Sequence, residues 1–448
     1  MIKFDLIVIG AGPAGYEAAI QAGKLGKKVL IIEKEELGGV CTNKGCIPTK
    51  SLLNSAKHFF IANNSEKFGV KAENVTFDYL RANEWKNNTI ETLRSGIKLM
   101  LEKQKIEIIK AEAKILDKNT VKVGAITYKT DYLILATGSR PLIVNIEGID
   151  GPNVMTSDEI LNLEVLPETI TIIGGGVIGI EFASFFNMLK VKVTVIEMME
   201  EILPMMDKDL AKLMRREMKE VTFHLGCKVT SIGKDNITFI DSKNHEKTEN
   251  CSKILLSSGR QPNTEGLEVL KLEMFKKWIK VDDRLKTSED NVYAIGDLNG
   301  KSQLAHSASK MAEIAVDNIF GSKTKKMNWK AIPWALYSQP EASGCGLTEE
   351  DAIKENLDFK CGISFMRSNG RFLAENEKKS TGKVKIIVDS KTDVILGIHM
   401  IGPYSSEMIW PAGALIENKI TAKQVAASVF AHPSISETIR EACLAIEE

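Results

Sequence analysis

Short apolar runs that break at glycine and lead into stretches with helical spacing recur along the chain. In "DLIVIGAGPAGYEAAIQAGKLGKKVLIIEKE" the run Leu6 to Ile9 predicts a strand, Gly10 to Gly15 a turn, Tyr16 to Leu25 a helix, and Val29 to Ile32 a second strand ending at Glu33. "TITIIGGGVIGIEFASFFNMLKVKVTVIEMME" repeats the order and ends at Glu197. The register repeats too, since 33 − 10 and 197 − 174 both give 23. "YLILATGSRP" and "NVYAIGDLNG" each predict a strand that breaks into a turn of small residues. From about residue 327, "IPWALYSQPEASGCGLTEED", "TGKVKIIVDSKTDVILGIHMIGP" and "SSEMIWPAGALIENKI" alternate predicted strands with amphipathic helices. No apolar run approaches the roughly 20 residues that a membrane helix needs. The apolar stretch in "MIKFDLIVIG" is too short for a signal peptide and is expected to be a strand entering a glycine loop.

Both turns have the order GxGxxG, with Gly10, Gly12 and Gly15 in the first and Gly174, Gly176 and Gly179 in the second. The first glycine makes the turn, the second lets backbone approach a pyrophosphate, and the third lets helix pack close to strand. Glu33 and Glu197 stand where a carboxylate would bind a ribose hydroxyl, and the helix start would meet the diphosphate charge. Two such units in register predict two dinucleotides on two separate domains. A chain of 448 residues leaves room for two to four domains. Its 59 basic and 59 acidic residues give no pull toward nucleic acid or an anionic membrane, so small molecules or proteins are the expected partners.

Without a signal peptide a cytoplasmic protein is the expectation, and the seven cysteines, an odd number and thinly scattered, speak against a disulfide framework. Only Cys41 and Cys46, in "GGVCTNKGCIPTK", are close neighbours. Five positions apart on a regular helix they would be offset by roughly 7.5 Å and rotated by about 140°, too far for a disulfide. A bond between them needs a distorted turn, for which Gly38, Gly39, Gly45 and Pro48 are available. So small a loop restrains the unfolded chain little, and strain would make the bond easy to reduce. Zinc would need more ligands than lie nearby in sequence, although distant ones remain open, and two unrelated core cysteines are the third reading. Near the C-terminus "FAHPSISETIREA" sets His432 and Glu437 as HPxxxE. A neutral imidazole there can take a proton from a thiol, with the carboxylate fixing its tautomer. Taken alone, His432 would be an ordinary surface residue.

With both glycine loops and both strand-to-turn segments present, the chain resembles flavoproteins with two dinucleotide-binding domains, and "GGVCTNKGCIPTK" narrows this to the pyridine nucleotide-disulfide oxidoreductases. The resemblance runs through the whole chain. It implies an α/β fold with two Rossmann-like dinucleotide-binding domains and a C-terminal α+β dimerisation domain. Residues 1–140 and 263–326 would form the FAD-binding parts, 141–262 the NAD-binding domain and 327–448 the interface domain. FAD would lie on the first glycine loop with Thr137, Gly138, Lys50 and Asp297. The nicotinamide would lie on the second, with Gly259 of "SGRQPNTEGL". NAD is expected rather than NADP, because Glu197 is followed by "MMEEILP" and no base precedes Lys208. No metal is expected.

The resemblance also implies roles for the thiols. Cys46 would be nearest the flavin, Cys41 would exchange with substrate, and Lys50 would pair with Glu181. His432 and Glu437 would reach the cysteines of the other subunit of a homodimer. Within the family the chain is similar to members that reoxidise a protein-bound dihydrolipoyl group. The expected partner is then a lipoyl-bearing protein of a 2-oxoacid dehydrogenase or glycine cleavage complex, since no lipoyl domain is read in this chain. Glutathione reductases share the cysteines and HPxxxE but generally carry bases for NADP. Mercuric reductases use an extra C-terminal cysteine pair, whereas this chain ends "EACLAIEE". An inactive flavoprotein scaffold would keep both loops but would not need Cys41, Cys46 and His432 together. Thr42 and Lys44 stand where apolar residues are usual. Lys44 either lowers a nearby thiol pKa or points to solvent, and the sequence leaves both open.

Overall fold

The computed structural model describes residues 2–322, 324–377 and 379–446. Its first sheet has seven strands. The parallel part runs Glu107–Lys110, Val29–Glu33, Ile2–Ile9, Ile126–Leu135 and Val292–Ala294, with Leu6 facing both Val29 and Tyr132 and Val292 facing Leu133. Two antiparallel strands, Thr120–Val123 and Lys114–Asp117, extend it. Both faces of this sheet are covered, since successive residues point to opposite faces and Leu6, Ile7, Val8, Leu30, Ile31 and Leu133 are all fully buried, so they read as unbroken apolar runs.

Helix α1 (Pro13–Lys24) follows the first glycine loop. It begins three residues earlier than its composition predicts, because Pro13 sits at its N-terminal turn, where the missing N–H costs nothing. Its buried alanines, Ala14, Ala18 and Ala22 among them, allow close packing on the later helix Ala305–Phe320. Next come α2 (Gly39–Lys44), α3 (Cys46–Asn63) and the long α4 (Tyr79–Lys103), which carries an Asp78 cap.

The chain then leaves through a two-stranded ribbon, Ser139–Pro141 paired with Arg260–Pro262. Between the two halves of that ribbon lies a second, five-stranded parallel sheet. Its order is Val221–Leu225, Lys192–Glu197, Thr169–Ile173, Lys253–Leu256 and Val154–Met155. The short helix α5 (Ser157–Ile160), α6 (Val177–Met188) and α7 (Lys208–Glu217) belong to this part, and a three-stranded antiparallel sheet of residues 228–250 packs beside it. The last sheet is antiparallel, in the order Trp334–Leu336, Ala342–Gly346, Ile395–Ile401, Lys383–Asp389 and Phe359–Phe365. The C-terminal helix Glu437–Leu444 packs on its outer strands. Two parallel sheets served by glycine loops and one antiparallel sheet with helices are the fold class expected from the sequence.

Candidate active site

Both glycine loops are built alike. Gly10 and Gly174 adopt φ of +99° and +109°, and a Cβ on Gly10 would meet the Ala136 carbonyl oxygen at 2.3 Å. A Cβ on Gly15 would lie 1.8 Å from the Gly10 carbonyl oxygen, and one on Gly179 2.1 Å from that of Gly174, so these glycines let each helix abut its strand. Gly12 and Gly176 differ, because a Cβ on Gly176 would meet nothing within 4 Å and one on Gly12 only the Gly39 Cα at 3.8 Å. Neither α1 nor α6 has a side-chain cap, so N–H groups at each start face open space. The two carboxylates brace the loops in the same way. Glu33 accepts from Ala11 N–H at 2.7 Å and Glu35 N–H at 2.8 Å, while Glu197 accepts from Gly175 N–H at 2.5 Å and Met199 N–H at 2.7 Å. An uncapped helix start, free space above the middle glycine and a carboxylate at the strand end fit the diphosphate and ribose of a dinucleotide.

Where the ribbon crosses, Gly138 (φ +70°) and Gly259 (φ +110°) leave free space around them. Thr137 donates to the Asn263 carbonyl at 2.6 Å. Asp297 Oδ2 accepts from Ser139 Oγ at 2.5 Å, and that hydroxyl accepts from Arg260 Nε at 2.7 Å. Burial pushes the Asp297 carboxyl up despite Ser139 and Arg260. Its Oδ1 has no donor among the described residues, which suits a polyhydroxyl chain such as the flavin ribityl group. Sequence reading assigned no role to Ser139, Arg260 or Asn263, although all three lie in the quoted segments.

The thiols stand where the distorted turn was expected. Gly45, with φ −143° and ψ −110°, interrupts the helix between Cys41 within α2 and Cys46 at the start of α3. Gly38 and Gly39 at the start of α2 have φ of +95° and +57°. Gly38 N–H donates to the Ala11 carbonyl at 2.8 Å, and a Cβ on Gly39 would come within 2.6 Å of the Gly12 Cα. The thiol-bearing helices therefore rest directly on the first glycine loop. All seven cysteines are free thiols. Those of Cys41 and Cys46 are the strongest influence on each other's titration. The Cys41 thiol lowers the Cys46 pKa to about 7, against burial and with help from the Lys50 charge. Cys46 and burial push Cys41 up. Burial pushes the other resolved thiols up as well, Cys361 to about 11 and Cys345 and Cys443 to about 12, which leaves them inert packing groups. Among the described residues no cluster of three or more His, Cys, Asp or Glu is arranged to hold a metal ion.

Lys50 lies one turn beyond Cys46, and its Nζ bonds both oxygens of Glu181 on α6, at 2.9 and 2.8 Å. Glu181 is buried. Burial works against the Lys50 ammonium, but the charge and hydrogen bonds of Glu181 outweigh it and hold the lysine above its ordinary value. Lys44 turns the other way and pairs with Glu35 at 2.7 Å. It is not among the leading influences on either thiol. Tyr16 of α1 stands beside the thiols; burial pushes its phenol up to about 12, with Glu17, Cys41 and Cys46 adding to the effect.

His432 Nδ1 meets Glu437 Oε1 at 3.0 Å, and Glu437 also accepts from Ser434 N–H at 2.9 Å. These contacts hold the carboxylate low and fix the ring, leaving Nε2 facing outward on a side chain that is 80% exposed. His432 is not among the leading influences on the thiols of its own chain. Tyr337, to which sequence reading gave no role, donates its N–H to Glu181 Oε1 at 3.1 Å.

The family model for pyridine nucleotide-disulphide oxidoreductases matches residues 4–312, and the model for the dimerisation domain of the same family matches residues 332–443. A dihydrolipoyl dehydrogenase of Geobacillus stearothermophilus is 38% identical over 459 residues, covering 98% of this chain and 96% of its own length. One from Bacillus subtilis (strain 168) is 38% identical over 467 residues, covering 99% and 98%. Among solved structures, the Cu(II) complex of the HOCl-induced flavoprotein disulfide reductase RclA from Escherichia coli superposes with a TM-score of 0.88 at 28% identity, over 100% of both chains.

Proposed function

The chain belongs to the pyridine nucleotide-disulphide oxidoreductase family, and from that premise we propose that it oxidises protein-bound dihydrolipoamide to lipoamide, with FAD and NAD as cofactors. The observation that carries this reading is the Cys41 and Cys46 pair, set on either side of the break at Gly45, with the Lys50–Glu181 ion pair one turn beyond Cys46. FAD is assigned to the first glycine loop with Asp297, and NAD to the second loop, where Glu197 favours a free 2′-hydroxyl over a phosphate. Residues 1–140 and 263–326 are assigned to FAD binding, 141–262 to NAD binding and 327–448 to the subunit interface. The matched dimerisation domain supports a homodimer. A lipoyl-bearing protein of a 2-oxoacid dehydrogenase or glycine cleavage complex and a cytoplasmic location complete the reading.

In the oxidised enzyme Cys41 and Cys46 form a disulfide. One thiolate of the dihydrolipoyl group attacks Sγ of Cys41. The bond between the cysteines breaks, a mixed disulfide forms, and Cys46 leaves as the thiolate that its low pKa favours. The second lipoyl thiol then attacks the lipoyl sulfur of the mixed disulfide, closing the lipoamide ring and releasing Cys41. The partner subunit's His432 takes the proton from each attacking thiol at Nε2, while Glu437 holds its ring. Lys50 meets the negative charge gathering at Cys46, and Glu181 holds Lys50 in place. FAD held by the first glycine loop and Asp297 would supply the acceptor for the dithiol's electron pair, and NAD held by the second loop would supply the final hydride acceptor.

Steady-state rates with dihydrolipoamide and NAD, set against glutathione disulfide and NADPH, test the assignment. The first pair is expected to turn over well and the second poorly; the reverse would make the chain a sibling disulfide reductase. Turnover of neither pair by flavin-loaded protein would point to the inactive scaffold.

A further inference from the structure

The Lys50–Glu181 pair joins two parts of the chain, and a third part closes over it. Tyr337 lies just beyond the strand Trp334–Leu336 of the C-terminal sheet. Its backbone N–H donates to Glu181 Oε1, and its ring faces Lys50 Nζ at 4.8 Å from the centroid. One residue thus engages the anion through its backbone and the cation through its ring face. The phenol hydroxyl takes part in neither contact.

The segment around Tyr337 is fastened on both sides. Gln339 N–H donates to Ser184 Oγ of α6 at 2.8 Å. Glu341 pairs with Lys57 of α3 at 3.3 Å and accepts from Ser406 Oγ, in the C-terminal part of the chain, at 2.8 Å. Residues 337–341 therefore bridge the helices of the thiol site and the C-terminal sheet.

We propose that Tyr337 is a positioning residue that locks Lys50 and Glu181 in register, and so makes the reactivity of Cys46 depend on docking of the C-terminal sheet. This rests on the redox reading of Cys46 given above. The groups facing Cys46 are Cys41 from α2, Lys50 from its own helix, Glu181 from α6 and Tyr16 from α1. Those facing Tyr337 are Lys50, Glu181, Glu407 and Glu341. Of these, Lys50 stabilises the Cys46 thiolate and Glu181 opposes it, so the net effect depends on where the ammonium is held. Without the ring, Lys50 is free to follow Glu181 or solvent away from the sulfur.

The test is the pH dependence of iodoacetamide alkylation of the reduced holoprotein, assigned to Cys46 by peptide mass spectrometry. Tyr337→Phe keeps both the ring and the N–H and is expected to reproduce the wild-type profile. Tyr337→Leu keeps bulk and the N–H but loses the ring face. It is expected to slow alkylation of Cys46 near neutral pH by about fivefold, the size of one partly desolvated cation–π contact. In a Lys50→Met background the Leu substitution is expected to add nothing. A Leu variant that tracks the wild type, or one that shifts the profile equally without Lys50, overturns the role of Tyr337. A wild-type Cys46 that reacts like an ordinary thiol would instead refute the redox reading itself.

Discussion

Cys46 is the residue on which the chemistry turns, and its low pKa is a balance of contacts. The Cys41 thiol favours the thiolate most, burial opposes it, Lys50 helps and Glu181 hinders. Because the pKa is depressed to about 7, thiolate is present above that pH and is lost as pH falls through it, whereas an ordinary thiol would still be largely protonated. Lys50→Met removes the favourable charge and leaves Glu181 without its ion-pair partner. The alkylation midpoint of Cys46 is expected to move up toward the ordinary cysteine range, with turnover falling by about two to three orders of magnitude, the scale of a lost electrostatic stabiliser. Thermal unfolding is expected to fall as well, since Glu181 is buried.

The two glycine loops show how one residue type serves two purposes within an element. In α6, a Cβ on Gly179 would collide with the Gly174 carbonyl, while one on Gly176 would stand in free space. Gly179→Ala is therefore expected to lower stability by about 1–3 kcal/mol, as overpacking does. Gly176→Ala is expected to leave the melting temperature unchanged and to weaken NAD binding, read by calorimetric titration, because the methyl enters the space above the helix start. Equal effects of the two substitutions on stability would contradict this division. These loops were legible in the sequence because strand, glycines, helix and carboxylate are contiguous there. The break at Gly45 was legible for a similar reason, as two thiols five apart cannot meet on a regular helix. The Ser139–Arg260–Asp297 chain and the contact of Tyr337 with Glu181 were not. Their bonds span 121 to 158 positions, and the last runs through a backbone N–H, which carries no side-chain signature.

At the scale of the molecule, one chain holds the thiols and His432 in separate parts. The histidine is exposed and fixed by Glu437 on the C-terminal helix, and the thiols lie against the first glycine loop. If each site is completed across a two-fold axis, two damaged subunits can repair each other. Cys41→Ser and His432→Ala proteins, each nearly inactive alone, are unfolded and refolded together. Random pairing makes half the dimers mixed, with one intact site in each, so about a quarter of wild-type activity is expected to return. No recovery would mean that His432 serves the thiols of its own chain.

The proposed chemistry depends most on Cys41 and Cys46 being the dithiol that exchanges with the carrier. Oxidised holoprotein is exposed to dihydrolipoamide anaerobically without NAD, and its free thiols are then alkylated and located by mass spectrometry. New thiols are expected at Cys41 and Cys46 and at no other position. An unchanged thiol map, or new thiols at Cys227, Cys251, Cys345, Cys361 or Cys443 in their place, would contradict it.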